Sequence, residues 1–336
     1  MQALKIAGFL PTLMTSQFFV NIPIPEFDFS GQTVIVTGSN TGLGKEAARH
    51  LVRLKASKVI LAVRTVSKGE AAAKDIVESC KVSADVVEVW ELDSGDEASI
   101  DAFAKRVQAL ERLDAAILNA GVMTMEWRTV DVHESTLAVN VFGNLRLTKV
   151  LLPKMQDSAR RTGQQGRISV VGSDMMYVAN LGELETDGKI VDKLDSKDLS
   201  LKWMGQRYQL SKILIFWAMK QLAKVNPVAG ESGVVLTVMT PGACKSTIFR
   251  DPINPRVKNM ADWVMALFQR TTEVGGRALV HAIEPQLPQE AHGKFLMDAR
   301  VGSEGLNVTS KQAERLAAKW NEEVLAVVED HGNPKL

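Results

Sequence analysis

Tyr208 and Lys212 stand four residues apart in RYQLSKILIFWAMKQLA, a segment with helical periodicity. That spacing puts both side chains on one helix face. The pair suits proton transfer. A tyrosine phenol ordinarily titrates near about 10, too high for a base at neutral pH. An ammonium beside it favours the phenolate and is expected to lower that value. Upstream, Ser173 ends RISVVGS, a β-branched run that reads as a strand. A hydroxyl at the carboxyl end of a parallel strand can reach a substrate carbonyl. Singly, neither signal is specific. The Tyr-x-x-x-Lys spacing arises in many helices, and a serine at a strand end is also an ordinary turn residue. The order along the chain, strand-end hydroxyl followed by the pair, gives them weight.

A second constellation binds rather than reacts. In TGSNTGLG (Thr37 to Gly44), Gly38 permits a tight turn, Gly42 lets a pyrophosphate approach the backbone, and Gly44 lets a helix pack closely on a strand. Ser39, Asn40, Thr41 and Leu43 complete the candidate cradle. TVIV precedes it as a buried strand and KEAARHLVRL follows as a helix, whose N-terminus would face phosphate charge. The spacing is GxxxGxG, not the commoner GxGxxG, and a plain strand-to-helix turn has the same look.

Elements of the right kind surround both constellations. Strands are expected at Thr33–Val36, Lys58–Val63, Val86–Leu92, Ala115–Gly121, Arg167–Ser173, Val234–Gly242 and Lys294–Ala299, with amphipathic helices between them. One long helix is expected from about Asp131 to Leu152, stopped by Pro153. Continuously apolar strands alternating with helices mean an α/β fold: a doubly wound parallel sheet of about seven strands, with helices on both faces. No linker or internal repeat divides residues 29–336, so they read as one domain preceded by an N-terminal arm, 1–28. Two segments break the rhythm, 180–206 and 244–272. Long excursions at the carboxyl ends of strands are candidate substrate lids, although surface decoration would look alike.

Composition narrows the partners. The 336 residues carry a formal net charge of +1. No basic tract suits nucleic acid, and no Cys/His cluster has metal-binding spacing, so no metal is expected. Two distant cysteines, Cys80 and Cys244, argue against a disulfide framework and make the reducing cytoplasm the default location. The stretch Ile6 to Pro25 is uncharged, but polar residues and Pro11 interrupt it. It reads as an arm or short helix packed on the domain, a partner or a membrane surface, not as a spanning helix. Ile213 to Ala223 is apolar around most of its circumference, which suits a homodimer interface unless the arm or the 180–206 excursion covers it.

In their order along the chain, TGSNTGLG, LNAG (Leu118 to Gly121), Asn140, Ser173, Tyr208 with Lys212, and PGACKS (Pro241 to Ser246) resemble the short-chain dehydrogenase/reductase family, over about Phe29 to Asp298. The chain looks closest to the subgroup of retinol dehydrogenases and carbonyl reductases and, through RTTEVGGRALVHA, to fungal reductases of secondary metabolism. The resemblance implies a Rossmann fold and roles for these residues. Tyr208 would be the general acid for carbonyl reduction or the base for alcohol oxidation. Lys212 would lower the tyrosine pKa and hold the nicotinamide ribose, and Ser173 would polarise the substrate oxygen. Asn140 would hold a water linking Lys212 to solvent. Asn119, Ala120 and Gly121 would lie along the cofactor, with Asn119 bracing the sheet. Asp93 would bond the adenine unless it is a helix cap. Pro241 and Gly242 would flank the nicotinamide, with Ser246 or Thr247 binding its carboxamide. Leu118 departs from the family's usual asparagine, a change that touches packing and not chemistry.

The end of the second strand bears on the cofactor. In place of the acidic residue that accepts a ribose 2′-hydroxyl stands Arg64, with Lys68 four residues on. A guanidinium can pair with a 2′-phosphate, so NADP(H) is expected; a solvated basic face is the alternative. Met175, Met176, Tyr177 and the apolar stretch Trp263 to Phe268 point to a hydrophobic small-molecule substrate. The expected activity is NADPH-dependent carbonyl reduction. Oxidation of a hydrophobic alcohol is the alternative, as is a non-redox isomerase or cyclase on the same fold.

Overall fold

The computed structural model describes residues 2–200, 204–228, 230, 233–245, 248 and 269–329. Strands form on largely apolar runs, and those at the centre of the sheet are buried along their length, because both faces are covered by helices. They are β1 (Thr33–Thr37), β2 (Lys58–Val63), β3 (Val87–Glu91), β4 (Ala115–Leu118), a two-residue antiparallel pair β5 (Thr129–Val130) and β6 (His133–Glu134), β7 (Gly166–Val171), β8 (Val234–Thr240), β9 (Phe295–Met297) and β10 (Arg300–Val301). The main sheet has eight strands in the order β3-β2-β1-β4-β7-β8-β9-β10. All its neighbours are parallel except β9 and β10. The chain winds outward from β1 to β3, then restarts at β4 on the other side. A crevice therefore opens beyond the carboxyl ends of β1 and β4, where the winding reverses.

All seven expected strands are present, and β10 is an eighth. Asp298 and Ala299 both adopt left-handed φ, 55° and 59°, which folds the chain back into a two-residue hairpin. Neither residue is the usual Asn-Gly signal for that turn. Asp298 is instead held from outside by Ser16 and Arg270.

α1 (Gln2–Phe19) opens the chain and passes through Pro11. Next come α2 (Gly42–Arg53), α3 (Val66–Cys80) and α4 (Glu97–Gln108). The single helix expected from Asp131 to Leu152 is corrected in two ways. It starts later, as α5 (Ser135–Leu137), and runs through a π-helical turn at Ala138–Gly143 into α6 (Asn144–Thr162). It also does not stop at Pro153. The turn after the proline buries Met155, Ser158 and Ala159, and Leu113 N–H donates to Ser158 Oγ at 2.9 Å. Packing thus outweighs the lost backbone hydrogen bond, and the helix ends only at Gly163, with φ +67°.

The remaining helices are α7 (Ile190–Asp195), α8 (Lys197–Ser200), α9 (Met204–Val225), α10 (Thr272–His281), α11 (Leu306–Thr309) and α12 (Lys311–Glu329). α11 and α12 cover α9: Trp217 Nε1 donates to Asn307 O of α11 at 3.3 Å, and Trp320 Nε1 of α12 donates to Leu214 O at 3.0 Å. The apolar circumference of Ile213 to Ala223, read as a subunit interface, is largely core within this chain. Two hydrophobic layers result. One lies beneath α4, α6, α9 and α12; the other lies beneath α2, α3 and α10 and takes in Ile22 and Phe29 from the N-terminal segment. Among the described residues, no helix is long and apolar enough to cross a membrane.

Candidate active site

The glycine-rich turn sits where β1 feeds α2. Gly38 and Gly42 have φ +63° and +59°. A Cβ at Gly44 would lie 2.6 Å from Asn119 Nδ2 and 2.9 Å from Gly38 O, so only glycine allows this approach. At Gly42 a Cβ would meet nothing within 4 Å among the described residues. Asn119 Nδ2 donates to Thr37 O and Gly38 O at 3.0 and 3.2 Å, and Ala120 N–H donates to Thr37 Oγ1 at 2.9 Å. These two residues hold the turn in shape. Ser39 faces inward, its Oγ donating to Val36 O at 2.7 Å, so it offers the crevice only backbone. Thr41 supplies no side-chain cap to α2. A bare helix start beside an open glycine fits the pyrophosphate of a dinucleotide.

Arg64 follows β2, and Lys68 lies in the first turns of α3; both are exposed. Arg64 Nη1 is 3.9 Å from Asp93 Oδ2, so these two groups, expected at the 2′-phosphate and the adenine, are neighbours. Asp93 accepts from Gly95 N–H at 3.0 Å. The helix cap, its other reading, is Asp96, which accepts from Ala98 and Ser99.

Ser173, Tyr208, Lys212 and Asn140 converge beyond the carboxyl end of β7. Lys212 is buried and Nζ donates to Val171 O at 2.7 Å. The same ammonium lies 5.4 Å from the Tyr208 ring centre. Ser173 Oγ accepts from Met175 N–H at 3.2 Å and is 3.3 Å from Asp174 Oδ1. Asn140 Nδ2 donates to Val122 O and Ser211 Oγ at 2.9 and 3.0 Å, while Oδ1 accepts from Val122 N–H at 2.8 Å. Both amide protons are thus engaged by protein groups, tying the segment after β4 to α9. Gly121 faces this cluster: a Cβ there would sit 3.2 Å from Asn140 Oδ1 and 3.8 Å from Lys212 Nζ.

The electrostatics differ from expectation. Burial pushes the Tyr208 phenol up to about 12; a hydrogen bond from Ser173 opposes this and the Asp174 carboxylate adds to it. Burial pulls Lys212 down to about 8. Loss of hydration is the largest influence on the phenol, so its shift is upward, opposite to the lowering expected from Lys212.

After β8, Pro241 and Gly242 form a turn, Gly242 with φ +76°. Ser246, Thr247 and nearly all of the 244–272 excursion, including Trp263 to Phe268, lie outside the described residues. The described part of the 180–206 excursion is anchored. Ile190, Val191 and Leu194 are core, and Asp195 bonds His133 Nδ1 and Glu134 N–H at 2.6 and 2.8 Å.

Sequence reasoning missed four features. Asp174 is a buried carboxyl beside Ser173, its pKa raised by burial. Glu134 and Arg207 form a buried ion pair at 3.6 Å next to Tyr208. Arg270 pairs with Asp298, and Gln17 reaches the turn after β8. The last three join partners too distant in sequence for a spacing rule to connect.

Residues 32–182 match the short chain dehydrogenase family. Over 311 residues the chain is 36% identical to short chain dehydrogenase/reductase dmxR8 of Cryptosporiopsis sp., covering 91% of this chain and 94% of that protein. The chain belongs to the short-chain dehydrogenase/reductase family. This member is also 37% identical to short-chain dehydrogenase anuD of Penicillium roqueforti, over 95% of this chain and 83% of the relative. With short chain dehydrogenase atnD of Emericella nidulans it shares 38% identity over 87% and 91% of the two chains. These fungal relatives agree with the resemblance carried by the motifs. Its fold is that of salutaridine reductase from Papaver somniferum, with TM-score 0.57 and 20% identity over 79% of this chain and 99% of that one. It is likewise that of the NADPH-dependent 3-quinuclidinone reductase from Rhodotorula rubra, with TM-score 0.57 and 16% identity over 82% and 93%. This dehydrogenase is therefore an oxidoreductase by family, of a class that interconverts carbonyls and alcohols at a nicotinamide cofactor.

Proposed function

We propose that the protein reduces the carbonyl group of a hydrophobic small molecule with NADPH. The observation that carries this reading is the meeting of Ser173, Tyr208 and Lys212 beyond β7, beside the glycine turn. Gly38, Asn40, Thr41, Gly42, Leu43 and Gly44 would take the pyrophosphate on backbone. Arg64 and Lys68 would take the 2′-phosphate, Asp93 the adenine, and Asn119 to Gly121 with Pro241 and Gly242 the nicotinamide half. When bound, the cofactor would supply the hydride for carbonyl reduction.

The chain's own residues handle the proton. Burial keeps the Tyr208 phenol protonated at neutral pH, so a proton is available there for reduction. Ser173 Oγ would donate to the substrate oxygen and draw charge onto it. Tyr208 would pass its proton to that oxygen, and the Lys212 ammonium would stabilise the phenolate left behind. Asn140 would keep the Val122 segment and α9 in register around Lys212. The rings of Tyr177 and Phe9, 5.1 Å apart and tilted by 35°, support a hydrophobic substrate.

Replacing Arg64 tests the cofactor assignment. A charge-assisted contact contributes about 1.5–3 kcal/mol, so Arg64→Asp should weaken NADPH at least tenfold and leave NADH equal or better. Fluorescence titration with both nucleotides reads this ratio; an unchanged ratio contradicts NADP(H).

A further inference from the structure

α1 does more than decorate the domain. Its last turns reach the backbone that follows β8. Gln17 Nε2 donates to Ala243 O at 2.8 Å, and Gln17 Oε1 accepts from Ala243 N–H at 3.2 Å. The amide thus pairs with Ala243 as a neighbouring strand would, using both its donor and its acceptor. Arg270 closes the other side. Its Nη1 donates to Pro241 O at 3.0 Å and its Nη2 to Ser16 O at 2.7 Å. Its backbone N–H donates to the same Ala243 O at 2.8 Å. Asp298 completes the knot, 2.8 Å from Arg270 Nη2 and accepting from Ser16 Oγ at 2.7 Å. Both ionic side chains are nearly inaccessible, at 6% and 5%.

Gly242 records how tight this is. A Cβ there would fall 2.7 Å from Arg270 Nη1 and 3.1 Å from Gln17 Oε1. The glycine is required on this side by α1 and Arg270, independently of any ligand on the other. The same helix touches the turn after Ser173, where the Phe9 ring packs at a tilt on Tyr177.

We propose that the N-terminal helix is a working part of the cofactor site. Gln17, together with Arg270 held by Ser16 and Asp298, fixes the Pro241–Cys244 turn against which the nicotinamide half of NADPH rests. Gln17 and Arg270 are positioning residues, since they act through the backbone of that turn. The inference rests on the reading of Pro241 and Gly242 given above. It assigns the N-terminal arm a role in cofactor binding.

The test separates the two halves of the cofactor. Adenosine 2′,5′-bisphosphate carries only the adenine end and its phosphate. NADPH carries both ends. Gln17→Leu keeps the side chain's bulk and removes both hydrogen bonds. By calorimetry of the full chain, this variant should bind NADPH about tenfold more weakly, as two hydrogen bonds imply, and adenosine 2′,5′-bisphosphate within about twofold of wild type. Arg270→Lys, which cannot reach Pro241 O and Ser16 O together, should show the same split. Gly242→Ala perturbs the turn directly and should also weaken NADPH selectively. If Gly242→Ala weakens NADPH while Gln17→Leu and Arg270→Lys bind it like wild type, the role of α1 is overturned alone. If Gly242→Ala also binds NADPH normally, the reading of the turn fails and this inference falls with it. Equal weakening of both ligands in the Gln17 and Arg270 variants would mark a general lesion and likewise overturn it.

Discussion

Tyr208 keeps its proton to about pH 12 and Lys212 loses its own near pH 8, both through burial. The predicted acid is therefore protonated at every physiological pH, and the group that titrates in reach is the lysine. For reduction, kcat/KM should be level around neutrality and fall as pH rises through about 8 and Lys212 loses its charge; a rate that rises there would contradict the assignment. The stability sign is opposite. Lys212 titrates below its ordinary value, so a buried ammonium costs the folded state at low pH, and that cost fades as pH climbs from about 8 toward 10.5. Lys212→Met should gain stability relative to wild type at pH 7 and lose that advantage near pH 10.5 in urea melts. Tyr208→Phe should lower kcat by about 10²–10⁴ while NADPH affinity stays near wild type. The spacing of Tyr208 and Lys212 was legible because helical periodicity is local. The inverted pKa values were not, because they depend on which distant segments exclude water.

The strands follow from largely apolar runs, and for that reason the seven expected strands appear close to where they were read. Elements whose shape depends on tertiary contact were harder to see. α6 survives Pro153 because Met155, Ser158 and Ala159 are buried beyond it. The β9–β10 hairpin turns at Asp298 and Ala299 because Arg270 and Ser16 hold the carboxylate. Gly143 marks a contact of the same kind: a Cβ there would lie 1.8 Å from Ser94 O, against the carboxyl side of β3. Gly143→Ala should cost about 1–3 kcal/mol or more in denaturant melts, since backbone must move; an unaffected midpoint would mean that the approach is looser. Trp320→Ala removes the side chain that lies over α9 and should cost about 3–5 kcal/mol.

At the scale of the whole molecule, the winding reversal between β1 and β4 places the glycine turn, LNAG and the end of β7 around one crevice. Each of these was identifiable from its own residues, and the parallel order brought them together. The knot of Gln17, Arg270 and Asp298 was not identifiable, since it joins the first helix to a turn more than 220 residues later. The central claim is that hydride goes from NADPH to a substrate carbonyl while Tyr208 supplies the proton. The most direct measurement follows deuterium from NADPH labelled on the transferring C4 position into product, with a hydrophobic ketone as substrate. Wild type should place one deuterium on the new carbinol carbon per NADPH consumed, and Tyr208→Phe should place almost none at the same nucleotide occupancy. Product formed without NADPH consumption, or labelled at the wild-type rate by Tyr208→Phe, would contradict the account.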